Sequence, residues 1–207
     1  MRAVVQRVLS ASVEVEGRIV SAIGPGLLVL VGVHEADTDS DANYMYNTLL
    51  LSFASHFLQL LVYTASHRLN YCLFSCRKVL NMRLFSNDKT GKAWDQSVMQ
   101  RNFEVLLVSQ FTLYGILKGN KPDFHVAMSP AKAKPFYASL VEKFQSSYSA
   151  DSVKDGVFGA MMKVSLVNDG PVTMQIDSPS LQGAAQSSNG YDDLVADGEA
   201  RVAKETC

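Results

Sequence analysis

The alternation of apolar and polar positions begins with strands. Residues 3–8 (AVVQRV) and 12–16 (SVEVE) carry the period of two expected of a sheet with one buried face. A turn at Glu16-Gly17 returns the chain through 18–23, which predicts a hairpin. Gly24-Pro25-Gly26 breaks the pattern, and 27–33 (LLVLVGV) is continuously apolar, the mark of a strand buried on both faces. Thr38, Asp39 and Ser40 supply N-caps for a helix. Residues 82–85 read as a strand and 87–92 as a polar loop. The strongest strand is 104–114 (EVLLVSQFTLY), whose unbroken apolar first half makes it central. Residues 118–123 read as a Gly/Pro loop. Ser129-Pro130 opens a helix with Ala133, Phe136, Tyr137, Leu140, Val141 and Phe144 on its apolar face. A last strand, 157–167, runs through Phe158-Gly159-Ala160. The chain then breaks at Asn168-Asp169-Gly170-Pro171 and resumes its alternation at Val172, Met174 and Ile176. Asn, Asp and Gly tolerate positive φ and suit a turn; Pro171, with no N–H, marks an edge, a bulge or a cis bond.

One helix departs from this regularity. From Ala42 to His67 there is no charged residue, and 49–65 (LLLSFASHFLQLLVYTA) is almost wholly apolar. Joining Met45 directly to Cys76 restores an amphipathic period through Ala42, Met45, Cys76, Val79 and Leu80, so 46–75 reads as an insertion into an existing helix. Ser52, Ser55, His56, Gln59 and Thr64 dilute the apolar run, and no basic cluster precedes it closely, which argues against a membrane span. A tethered protein anchored by 49–65 is the alternative. Residues 178–207 are rich in Gly, Ser, Ala, Gln and Asp without period and read as a solvated, disordered tail. The organisation is thus one domain, 1–178, interrupted at 46–75, with a tail at 179–207.

Composition narrows the chemistry. Nineteen basic against twenty acidic residues among 207 argue against a dedicated nucleic-acid scaffold, while leaving local phosphate contacts open. Cys72, Cys76 and Cys207 make neither a disulfide framework nor a zinc quartet, which points to a reducing compartment, the cytoplasm. No Gly-rich phosphate loop or metal-spaced cluster occurs, and His34 and His125, the histidines outside the insertion, sit in no motif. Any reaction is therefore expected to use no metal and no cofactor. Ser109, Gln110 and Thr112 interrupt the central strand. Either they bond within the sheet, or they line a pocket with hydroxyls, an amide and backbone N–H groups.

The segments VSQFTL (residues 108–113) and NDGPVT (168–173), with the opening MRAVVQRV and the GVFGA at 156–160, resemble the D-aminoacyl-tRNA deacylase family, also called D-tyrosyl-tRNA deacylase. The likeness runs over 1–45 and 76–178. It implies an α/β fold of layered β/β/α type, with mixed or antiparallel sheets in a partly closed barrel and two main helices. It implies a homodimer that hydrolyses the ester of D-aminoacyl-tRNA, releasing free D-amino acid and tRNA, and that accepts glycyl-tRNA to a degree. Gly170-Pro171 would be a cis dipeptide from the partner subunit whose carbonyls hold the substrate amine and whose bulk excludes an L side chain. Ser109, Gln110, Phe111 and Thr112 would form the facing wall. There Thr112 and the N–H groups around Phe111 lie by the scissile carbonyl, and the terminal ribose 2′-hydroxyl, rather than Thr112, assists the reaction. Phe158 would stack on the terminal adenine and Arg7 approach the 3′ end, their alternatives being a core residue and a solvated edge charge. Lys118 and Lys121 are further candidates for tRNA phosphates. The insertion departs from the family pattern, so an inactive or misfolded variant is the second reading; DNA and membrane partners are not expected.

Overall fold

The computed structural model describes residues 1–45 and 78–178; the proposed insertion and the tail lie outside these. β1 (Arg2–Val15) is one strand where the alternation suggested two. It is the spine of a mixed sheet. One edge pairs antiparallel with β3 (Gly26–Gly32) along residues 2–8 and with β2 (Arg18–Ile23) along 11–15; the other edge takes β8 (Lys163–Asp177), also antiparallel. The β1–β2 turn has both central residues at positive φ, Glu16 at 51° and Gly17 at 79°, which matches the twist of a hairpin. β4 (Glu104–Ser109) lies parallel to β3, and β7 (Val153–Asp155) parallel to β4. The order β2-β1-β3-β4-β7 curls into a nearly closed barrel. Its seam is held by side chains: Ser21 Oγ donates to the Asp155 carbonyl, and Lys154 Nζ donates to the Ala22 carbonyl at 2.7 Å.

Continuous apolar strands bury both faces because two cores need them. Val8, Ala11, Val13, Leu28, Leu106 and Val108 fill the barrel. The alternate residues Leu27, Val29, Val105 and Leu107 face the helices, where Leu80, Leu140 and Phe144 cover them. At roughly 1.5–3 kcal/mol for each large apolar side chain fully buried, this second cluster fixes the strand register.

α1 (Asp39–Met45) is preceded by a reciprocal bond: the Thr38 N–H donates to Asp41 Oδ2 at 2.9 Å, and the Asp41 N–H to the Thr38 carbonyl at 3.0 Å. α2 (Lys78–Asn81) buries Val79 and Leu80, the positions expected on the apolar face of a joined helix. α3 (Pro130–Ser147) buries Ala133, Tyr137, Leu140, Val141 and Phe144, with Phe136 half-buried. Among the described residues no helix is long and apolar enough to cross a membrane, and 49–65 lies outside them.

Three expected elements differ. Residues 82–85 make a single bridge, Phe85 with Gln96, because Leu84 and Phe85 are turned into the core rather than laid against a partner strand. Residues 118–123 belong to a small hairpin of β5 (Ile116–Lys118) and β6 (Lys121–Asp123), turned at Gly119 with φ 63°. The strand expected at 157–167 starts only at Lys163. Gly159 takes φ 79°, and 156–162 form a loop, while the short β7 just before it was not anticipated.

Candidate active site

The strand expected over 104–114 stops at Ser109, and residues Phe111–Tyr114 form a 3-10 turn. The cause lies on the neighbouring strand. Gly32 ends β3, and a Cβ there would stand 2.9 Å from Leu113 Cβ and 3.2 Å from the Gln110 carbonyl oxygen. The missing side chain lets the turn fold down onto β3, anchored by the Gln110 N–H donating to the Val31 carbonyl at 2.7 Å. Leu113 N–H donates to the Gln110 carbonyl at 3.2 Å and Gly115 N–H to that of Thr112 at 2.9 Å. The N–H groups of Phe111 and Thr112 have no acceptor among the described residues. Gln110 Nε2 donates to Thr112 Oγ1, so the threonine hydroxyl is held by an amide and not by a base.

Ser109, Gln110 and Phe111 line a cavity of about 670 Å³. Its other walls come from Val31 of β3 and Val33 just past it, the segment 124–133 that leads into α3, and the loop 158–162. Phe111 meets Phe124 edge to face at 4.9 Å between ring centres, and Phe158 leans on the buried Tyr137 at 5.7 Å. The Tyr137 hydroxyl is buried without a partner among the described residues, and burial, then the nearby Asp155 charge, push its ionisation far above the ordinary phenol range. The lining is apolar apart from Ser109, Gln110 and Ser129 and contains no Asp, Glu, His, Lys or Arg. Such a cavity accepts an uncharged, flat or apolar group and offers backbone donors at one rim. Among the described residues no set of three or more His, Cys, Asp or Glu is placed to hold a metal.

Four of the sequence candidates thus come together: Ser109, Gln110, Phe111 and Phe158 line the cavity. Thr112 lies exposed beside it, off the lining. Arg7, Gly170 and Pro171 form a second cluster. In the β1–β8 ladder Arg7 faces Val172 and Val8 faces Asn168, so 169–171 are looped out as a bulge on an edge strand. Asn168 Oδ1 closes the loop by accepting the Val172 N–H at 3.1 Å. Arg7 Nε pairs with Asp169 Oδ2 at 2.9 Å and Nη1 donates to the Leu84 carbonyl, with the guanidinium 5.8 Å from the Trp94 ring.

The expected cis bond is corrected here. Among the described residues there is no cis peptide, and Gly170-Pro171 is trans. The reversal that a cis proline would supply is made by Gly170 at φ 113°, open to glycine and strained for any L residue. Of the three placements left open for Pro171, the edge and the bulge hold. Sequence reasoning missed Phe124, Met128, Met161 and Met162 in the cavity and Trp94 beside Arg7. Met161 and Met162 directly follow the Phe158-Gly159-Ala160 segment, whereas Phe124, Met128 and Trp94 are brought in by chain folding with no local signal.

Comparison with known proteins bears on the family and the fold. The family described as D-Tyr-tRNA(Tyr) deacylase matches residues 4–52 and 58–177. The D-aminoacyl-tRNA deacylase of Dictyostelium discoideum is 43% identical over 178 residues, covering 86% of this chain and 98% of its own. D-aminoacyl-tRNA deacylase 1 of Homo sapiens is 43% identical over 180 residues, covering 87% and 71% respectively. A solved structure described as c-Myc DNA Unwinding Element Binding Protein superposes with TM-score 0.67 at 42% identity, over 86% of this chain and 99% of its own. Another, described as a probable eukaryotic D-amino acid tRNA deacylase, gives TM-score 0.56 at 16% identity over 85% and 98%, a likeness of fold alone.

Proposed function

Since the chain belongs to the D-Tyr-tRNA(Tyr) deacylase family, we propose that it hydrolyses the ester of D-aminoacyl-tRNA, releasing free D-amino acid and tRNA, with glycyl-tRNA as a poorer substrate. The observation that carries this is the cavity itself: an apolar, uncharged hollow with an unpaired backbone N–H on the lining residue Phe111 and a second on Thr112, the next residue along the turn. The terminal adenine stacks on Phe158. The ester carbonyl lies by the Phe111 and Thr112 N–H groups, which stabilise the oxyanion as water attacks; removing one such donor from an enzyme costs about 10²–10³ in kcat. With no side-chain base on the lining, the terminal ribose 2′-hydroxyl assists the proton transfer. Gln110 holds the turn and Thr112 in place, and Ser109 faces the substrate from the lining.

Gly170-Pro171 serves the cavity of a second copy. Two features support this. The bend is exposed and lines no part of its own cavity. β8 also pairs with β1 alone among the described strands and exposes Leu166, Val167 and Met174, an edge that a homodimer would cover. Backbone carbonyls of the bend accept hydrogen bonds from the substrate ammonium, and its trans, glycine-kinked wall occupies the space of an L side chain. Arg7 acts from behind, holding Asp169. The working compartment is the cytosol.

The test is release of D-Tyr and of L-Tyr from charged tRNA by the purified chain. At least a 100-fold preference for D-Tyr is expected, about 2.7 kcal/mol of discrimination. Equal rates, or no release of either, remove the reading.

A further inference from the structure

Most cations near the cavity are already neutralised. Lys118 is paired with Asp123, which also lies 3.0 Å from His125 Nδ1; the Lys118 bond, then the His125 contacts, hold the Asp123 carboxyl down at about 2. Arg7 is paired with Asp169, and Lys163 with Glu14 at 3.0 Å. Three lysines by the cavity differ. Lys121, Lys132 and Lys134 are exposed and have no carboxylate partner among the described residues. Lys121 opens β6, the strand that runs directly into Phe124 of the cavity wall. Lys132 and Lys134 flank Ala133, another wall residue, at about 100° on either side around the helix. No Asp or Glu occurs between Asp123 and Glu142, and the first turn of α3 carries none. Among the described residues, a chain of net charge −1 thus keeps three lysines without a carboxylate partner on the segments that wall this uncharged cavity.

We propose that Lys121, Lys132 and Lys134 form a rim that takes the phosphates of the single-stranded tRNA 3′ end, while the terminal nucleoside enters the cavity. This rests on the deacylase reading. The division of labour follows from desolvation. The lining has no charged group to accompany a phosphate inward, so the phosphates that precede the terminal nucleoside stay at the rim, in water, where lysine ammonium groups meet them at little cost. Lys118 is excluded from the rim because Asp123 already occupies it.

Two substrates separate this rim from the reaction: D-Tyr-tRNA, and 3′-D-tyrosyl-adenosine, which carries no phosphate. The triple variant K121Q/K132Q/K134Q is expected to lose tenfold or more in kcat/KM on D-Tyr-tRNA at low salt and to keep the adenosine ester within twofold of wild type. That second result also shows the variant folded. Each phosphate contact on a single strand contributes about 0.7 to the slope of log affinity against log salt, so the slope for uncharged tRNA should fall by about 2. K89Q, which removes an exposed lysine from the 87–92 loop, should change neither. Equal losses on both substrates, or an unchanged salt slope, overturn the rim. If wild type hydrolyses neither substrate the deacylase reading fails, and the salt slope for uncharged tRNA still decides the rim by itself.

Discussion

The two clusters that carry the proposed chemistry are built on opposite principles. The wall at 109–112 grows out of β4, whose residues 105–108 are buried on both faces and laddered to β3. Its position is set by backbone packing, down to the missing Cβ of Gly32. The bend at 168–171 hangs from an edge strand and is set by side chains: the Asn168 amide, the Arg7–Asp169 pair and the positive φ of Gly170. A wall held by the core keeps its donors steady with no ligand present. A bend held by a few polar bonds leaves its tip, Gly170 and Pro171, exposed to solvent.

The contrast can be broken from either side. The largest effect is expected from Gly170→Ala. Its Cβ would lie 2.8 Å from Arg7 Nη2 and 2.9 Å from Val172 Cγ2, in a φ region that alanine adopts only under strain. We expect a loss of about 3 kcal/mol in denaturant unfolding and at least a tenfold drop both in release of D-Tyr, whose ammonium loses its carbonyl acceptors, and in the D-over-L preference. An unchanged preference would show that the bend does not sort substrates. Gly32→Ala comes next, at about 2 kcal/mol from overpacking against Leu113, with kcat reduced and binding of uncharged tRNA retained. Loss of tRNA binding with kcat intact would separate the turn from the chemistry. Phe158→Ala should cost about 1.5 kcal/mol in affinity for the 3′ end, read as a raised KM, since a base loses its stacking partner; a KM within twofold of wild type assigns Phe158 to packing with Tyr137 alone.

The smallest effect is a pH dependence away from both clusters. Burial pushes the Asp41 carboxyl up, but hydrogen bonds from Ser178 and Thr38 outweigh it and leave it below the ordinary Asp value. A carboxylate depressed in the folded state contributes stability that is complete above the unfolded value and lost as pH falls through the folded one. The melting temperature should therefore fall between pH 5 and pH 3 more steeply in the wild-type chain than in Asp41→Asn, and parallel curves would assign the acid sensitivity elsewhere.

What could be read in the sequence follows the same division. The strands of the double core were legible because burial on two faces leaves an unbroken apolar run, as in 27–33 and 105–108. The end of β4 was not. Phe111 and Leu113 continue a strand-like alternation, although Leu113 packs on Gly32 from a 3-10 turn and Phe111 turns to the cavity. The bulge at 169–171 was legible in Asn-Asp-Gly-Pro, whereas the isomer of its proline was not, since a glycine at positive φ solves the same geometric problem as a cis bond. Arg7 read as a strand residue or a 3′-end contact. Its partner, Asp169, lies far along the chain, and no local pattern announces an ion pair of that span.

The most direct measurement is complementation between two disabled chains. Thr112→Pro removes one rim N–H, and Gly170→Ala distorts the bend. Each protein alone should show little D-selective release from D-Tyr-tRNA. If the wall of one copy works with the bend of another, unfolding and refolding the two in equal amounts should restore about a quarter of wild-type activity, since half the dimers are mixed and one of their two sites is intact. No recovery above the sum of the separate variants, with mixed dimers confirmed, would contradict a site shared between copies.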